Sequence, residues 1–148
     1  MEINKCYNIR SIQRKIANAY IDLPPLQPNE TKYPNTLREP IENPVLGKEE
    51  TGRFQLLNEG LDYNLHRETG FISFKTSLQD QDVIAISFKQ GGALQTYGEF
   101  IASTQDTVIV LKLVRPRNLQ PQFTDAWKLL LKNIYPTGSR KIKKERFD

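Results

Sequence analysis

His66 is the only histidine in the chain and Cys6 the only cysteine, so nucleophile–base catalysis has one imidazole and one thiol to draw on. His66 falls on the polar side of a short alternating segment, beside a turn, where a solvated or surface-bonded ring is expected. A lone cysteine excludes an internal disulfide and any cysteine-based metal site. Asp62, Asp80, Asp82 and Glu99 are the carboxylates a calcium ion would gather. Their spacing lacks the regular oxygen-ligand period of a calcium loop, and turn-forming aspartates are the better account. Glu49, Glu50 and Glu59 establish no paired-carboxylate geometry. Gly91 and Gly92 are too short a run to cradle a phosphate and precede no helix; no G-x-S-x-G, H-E-x-x-H or Walker pattern occurs. The residues assign no catalytic, cofactor-binding or metal-binding side chain, and the expectation is a non-enzymatic protein with no cofactor.

Charge narrows the partners. The net charge is +4 and the pI about 9.2, with Arg140, Lys141, Lys143, Lys144 and Arg146 close together at the C-terminal end. Such a run suits nucleic acid, an anionic membrane surface or an acidic partner; a solvated strand or tail is the plainer reading. Nucleic-acid binding asks for basic residues interleaved with aromatics on a sheet face. Only Phe147 accompanies this run, so no nucleic-acid partner is expected. No stretch approaches the ~18 apolar residues of a membrane-spanning helix, and the first residues lack the apolar region of a signal peptide. An abrupt start and a charged end read as a segment of a longer chain, in which case the missing targeting signal carries no information.

The elements that would position any site follow from periodicity. With 148 residues, 38% hydrophobic and 26% charged, the chain reads as one domain (1–148) with a real core. It is organised around residues 61–100, where short alternating apolar segments are broken by turn signals at Glu68, Thr69 and Gly70, at 79–82, and at Gly91 and Gly92. This pattern predicts four short strands in two hairpins. In the first, Leu61, Tyr63 and Leu65 point one way, Ile72 and Phe74 line one face of the return strand, and Gly70 supplies the positive φ of the loop. In the second, Ile84, Ile86 and Phe88 share a face. A two-residue loop at Gly91 and Gly92 would set Gln90 opposite Ala93 and Ile86 opposite Tyr97.

Residues 15–23 read as a strand burying Ala17, Ala19, Ile21 and Leu23, with an amphipathic helix over 9–20 as the competitor. Six of the nine prolines fall in 24–50, which predicts a long extended loop, wrapped on the surface or mobile; its P-x-x-P spacing at Pro25 and Pro28 is a chance-level match. Residues 51–59 are expected to form a short helix or turn. The β-branched run 108–114 predicts a central strand. Thr124 is placed to cap a helix over 124–135, with Asp125 at its positive end. Trp127, Leu130, Leu131 and Ile134 form its apolar stripe, expected in the core. The fold class is α+β: a mainly antiparallel sheet of hairpins, a sandwich being one arrangement open to it, with one helix packed on a face.

Three pieces in order then carry a resemblance: the hairpin segment 62–88 with Tyr97, Gly98, Glu99 and Phe100; the L-K-L-V-R-P run 111–116; and the W-K-L-L-L-K-N-I-Y-P-T-G run 127–138. Together they resemble the SprA/Sov family of large outer-membrane proteins of gliding and type IX secretion in Bacteroidetes. Lys132, Asn133, Ile134 and Tyr135 match the family's helix motif outright. Leu130 and Leu131 stand where Met–Met is commoner, a volume-conserving change, and Pro136 and Thr137 depart from the usual Ser-Leu. The resemblance covers about residue 60 onward. It implies a soluble domain, structural or docking in role, of an outer-membrane conduit for type IX cargo. Its implied partners are other parts of the same large protein, secretion-system proteins and secreted cargo; no catalytic residues are implied. A stand-alone binding module for a glycan or protein, using loops such as 24–50, is the alternative.

Overall fold

The computed structural model describes residues 2–6, 14–90, 95–100 and 108–130. In chain order the elements are β1 (Glu2–Cys6), β2 (Arg14–Tyr20), β3 (Glu49–Leu57), β4 (Tyr63–His66), β5 (Phe71–Phe74), β6 (Val83–Gln90), β7 (Gln95–Tyr97), β8 (Ile109–Arg115) and a short helix α1 (Thr124–Lys128). Among the described residues the protein is mostly β with one short α-helix, the α+β class expected. The main sheet runs β1-β3-β2-β8-β6-β7, and β1 also pairs with β6. Five strands thereby close on themselves, and the second sheet is only the β4–β5 hairpin. This closed arrangement replaces the two-sheet sandwich open to the sequence. All pairs are antiparallel except β2 with β8, where Ala17 faces Ile109 and Ala19 faces Leu111.

Side-chain size explains the closure. Partners across a ladder share a face, and on the inward face Ala17 pairs with Gly52 and Leu113 with Ala85. Small residues there leave room for Phe54, Leu111 and Leu113, all fully buried; together with Val83, Ile21 and Ile109 they make one core cluster. The outward face is covered twice. At one end the β4–β5 hairpin lays Tyr63, Leu65, Ile72 and Phe74 over Leu57, Ile84 and Ile86. At the other, the proline-rich segment lays Leu23, Leu26 and Tyr33 over Val110.

Several expectations hold in detail. The strand expected over 15–23 is β2, which ends at Tyr20; Ala17, Ala19, Ile21 and Leu23 are buried as expected, the last two just beyond the strand, and Asn18 on its other face is buried too. The 108–114 run is a central strand between β2 and β6. Gly70 has φ 70° in the first hairpin loop. The 24–50 segment contains a single 3-10 turn at Asn35–Leu37 before β3 begins, and it is wrapped tightly onto the sheet.

Others are corrected. The stretch 51–59 is not a helix or turn: through Leu57 it is the body of β3, which sits between β1 and β2 and buries Glu50, Phe54 and Leu57. A strand with partners on both edges outweighs its weak local pattern. The face of Ile84 and Ile86 exists, yet Val83, Ala85 and Ser87 on the opposite face are buried more deeply, because the ring encloses them. In the second hairpin Gln90 pairs with Gln95 and Phe88 with Tyr97, so four residues, not two, separate the strands. The two-residue shift keeps every side chain on its face and stacks Phe88 on Tyr97, centroids 4.9 Å apart. Leu61, 75% exposed, lies in the turn before β4.

The helix differs most. Thr124 is its first residue, Phe123 holds the N-cap position without a side-chain bond, and only Ala126 is buried. Trp127 is 39% and Leu130 38% exposed, contrary to their expected core position. The ring is already filled by Phe54, Leu111 and Leu113, so α1 seats a methyl group, with Leu119 and Phe123 packed beside it. Leu131, Ile134, the Lys132–Tyr135 motif, the basic C-terminal run, Gly91 and Gly92 lie outside the described residues.

Candidate functional site

The carboxylates do not gather. Asp62 Oδ2 accepts the N–H of Asn58 at 2.8 Å and Asp82 Oδ2 that of Gln79 at 2.8 Å, each closing its own turn, as turn-forming aspartates do. Among the described residues no cluster of three or more His, Cys, Asp or Glu could hold a metal ion. His66 is exposed; its Nε2 lies 3.5 Å from Ser73 Oγ and its ring 5.8 Å from that of Phe71.

Glu99 alone goes elsewhere. Gly98, with φ 74°, swings the chain out of β7 and drives the carboxylate into the fold, where it is 5% exposed. Its Oε1 accepts the N–H of Tyr33 at 2.7 Å and pairs with the Arg38 guanidinium; Oε2 accepts the N–H of Val110 at 3.1 Å. Arg38 also donates from Nη1 to Val108 O at 2.6 Å. The Tyr33 hydroxyl donates to Pro24 O at 2.7 Å and accepts the N–H of Gly98 at 3.2 Å. Burial pushes the Tyr33 phenol above its usual 10.0, so it stays a neutral donor. A charge this deep is tolerated only with such a set of partners.

A second polar group completes the attachment. Asn18, 1% exposed in β2, donates to Leu37 O at 3.0 Å and Glu39 O at 2.8 Å, and its Oδ1 accepts the Thr51 hydroxyl. Tyr20 donates to the same Leu37 O at 2.8 Å. The proline-rich segment is thus a strap, fastened by Glu99 and Arg38 on one side and by Asn18 and Tyr20 on the other. Next to Thr51 in β3, Glu50 accepts the N–H and Nε of Arg117 at 3.0 and 2.9 Å.

Between strap and sheet lies a cleft of about 390 Å³. Leu26, Phe100 and Ile109 supply apolar lining, and Lys15, Lys32 and Lys89 bring positive charge. It contains no histidine or cysteine, and its Glu99 is already shared among three donors. The arrangement holds a strap and, among the described residues, offers a partly apolar recess with more cationic than acidic side chains.

Sequence reasoning grouped Glu99 with the carboxylates a calcium ion would gather and did not see the strap bonds. The available signal was local: a glycine directly before a glutamate, following an aromatic strand, marks a turn that reverses which side a side chain faces. Comparison with protein-family models, characterised proteins and solved structures returns no match to this chain.

Proposed function

We propose that this chain is a non-enzymatic structural or docking domain of a SprA-like outer-membrane protein serving type IX secretion and gliding. The observation that carries the reading is the ordered set of motifs from the Asp62 hairpin to the Trp127-led segment, with Lys132, Asn133, Ile134 and Tyr135 matching outright. The architecture supports a scaffold role in a second way. Glu99, Asn18 and Glu50, all buried, are committed to holding segments of the chain together.

Cell fractionation tests the proposal. An antibody raised against this domain is expected to detect, in the outer-membrane fraction, a polypeptide far larger than 148 residues. Detection only as a free chain in the soluble fraction would contradict it. The cleft beneath the strap favours a second reading, a β-rich module binding a glycan or protein. That reading requires Lys32→Ala and Lys89→Ala to abolish ligand capture by the isolated chain without altering its stability.

A further inference from the structure

The inward faces of two strands end in lysine at one mouth of the ring. Side chains two apart in a strand point the same way, so Lys15 shares the face of Ala17 and Ala19 in β2, and Lys89 that of Ala85 and Ser87 in β6. β2 runs parallel to β8, and β8 antiparallel to β6. The start of β2, the start of β8 and the end of β6 therefore lie together. Ile109, the first residue of β8, is buried there as part of the core. Thr96 of β7 pairs with Lys89, and the strap crosses at this point, the N–H of Leu26 donating to Thr96 O at 2.8 Å. The cleft of about 390 Å³ is this mouth, lined by Lys15, Lys89, Thr96 and Ile109 from the strands and by Leu26 and Lys32 from the strap. Barrel mouths are a recurrent place for small ligands, and the volume lies within the roughly 300–1,000 Å³ of such sites.

We propose that this mouth binds a small organic anion with an apolar body, its head a carboxylate or a phosphate monoester. Charge decides the sign of the ligand. Of the charged side chains lining the cleft, Arg38 and Glu99 satisfy each other, which leaves Lys15, Lys32 and Lys89 against Glu30 alone. The apolar lining decides the rest of it. Leu26, Ile109 and Phe100 offer a surface that an inorganic anion would leave uncovered, at a cost proportional to the area kept in water. The two halves of the site adjoin: Lys89 Nζ stands 5.9 Å from the centroid of the Phe100 ring, so one molecule can meet a cation and an apolar wall together. A wholly apolar ligand would have to strip water from the lysines without offering them a partner. A recess of this volume takes a drug-sized molecule, not a folded partner. The inference rests on the reading of the cleft as a binding site, whose ligand class it narrows, and is independent of the secretion reading.

Titration of the full chain with octanoate and with octyl phosphate, followed through its amide chemical shifts, tests this. Saturable shifts at Thr96, Gly98 and Phe100 are expected, with a Kd of roughly 1 mM or tighter for at least one of the two; the tighter of them identifies the head the site takes. Octanol, which lacks the charge, and inorganic phosphate, which lacks the apolar body, are expected to bind about tenfold more weakly or worse. Lys89→Ala should weaken binding about fivefold, and Lys32→Glu combined with Lys89→Glu should abolish it, both at an unchanged denaturant midpoint. Lys128→Ala, whose side chain does not line the cleft, should leave binding as it was. Octanol binding as tightly as octanoate would overturn the proposal. So would shifts centred on the β4–β5 hairpin, or a loss in Lys128→Ala as large as in Lys89→Ala. Silence toward both anions would overturn it as well; capture of a glycan or a protein by the same chain would then leave the broader binding reading standing.

Discussion

Glu99 is a carboxylate that the fold consumes. Its two oxygens receive Tyr33, Arg38 and Val110, and side-chain exposure is 14% for Arg38 and 5% for Glu99. Glu99→Gln leaves the guanidinium buried without its counter-charge and is expected to cost about 3–5 kcal/mol, read as a fall in denaturant midpoint. Glu50→Gln should cost less, because the Arg117 side chain it meets is 44% exposed and water can replace the lost charge. Trp127→Ala is expected to cost under about 1 kcal/mol, as at a partly exposed site, where a core indole would cost about 3–5 kcal/mol. The Tyr33 phenol, raised above 10.0 chiefly by burial, gives a pH signature. Its folded value exceeds its unfolded one, so its contribution is complete below 10.0 and is lost as pH climbs through the raised folded value. Tyr33→Phe should therefore lower stability at neutral pH and reduce the alkaline loss, measured by urea titrations on both sides of that value.

At the scale of elements, legibility followed burial on one side. The 15–23 strand, the 108–114 strand and the first hairpin were readable because each has a period-two pattern or an unbroken β-branched run. β3 was not: Glu49, Glu50, Thr51, Gly52 and Arg53 show no alternation, and the segment is a strand because β1 and β2 supply bonds on both edges. The helix misled for the opposite reason, since Trp127 and Leu130 have helical spacing but the ring they would cover is already full. The second hairpin's register depended on the length of the turn after Gln90, which periodicity does not fix; Gln90 pairs with Gln95. A Cβ at Gly98 would lie 2.8 Å from Ile86 O, at φ 74°. Gly98→Ala is expected to cost at least about 2 kcal/mol, and, because it displaces Glu99, to loosen the strap. Faster proteolysis within 24–50 would report that loosening.

On the scale of the whole molecule, the strap is what the sequence concealed. Six prolines announce a segment that cannot join a sheet, but its attachment rests on partners distant in sequence: Glu99, which meets Tyr33 and Arg38 of the strap, and Asn18, which meets its backbone. A closed ring with a strap on one part of its outer face and a hairpin on another is a body that resists deformation, which suits a domain held within a larger assembly. The chemistry-poor residue inventory and the commitment of the buried carboxylates agree with a holding role. The measurement closest to that claim is export itself. On the proposed secretion reading, in-frame removal of this domain from its locus in the source organism, with type IX cargo quantified in the medium, should leave cargo retained in the cells and surface spreading lost. Undiminished export and spreading after its removal would contradict the account.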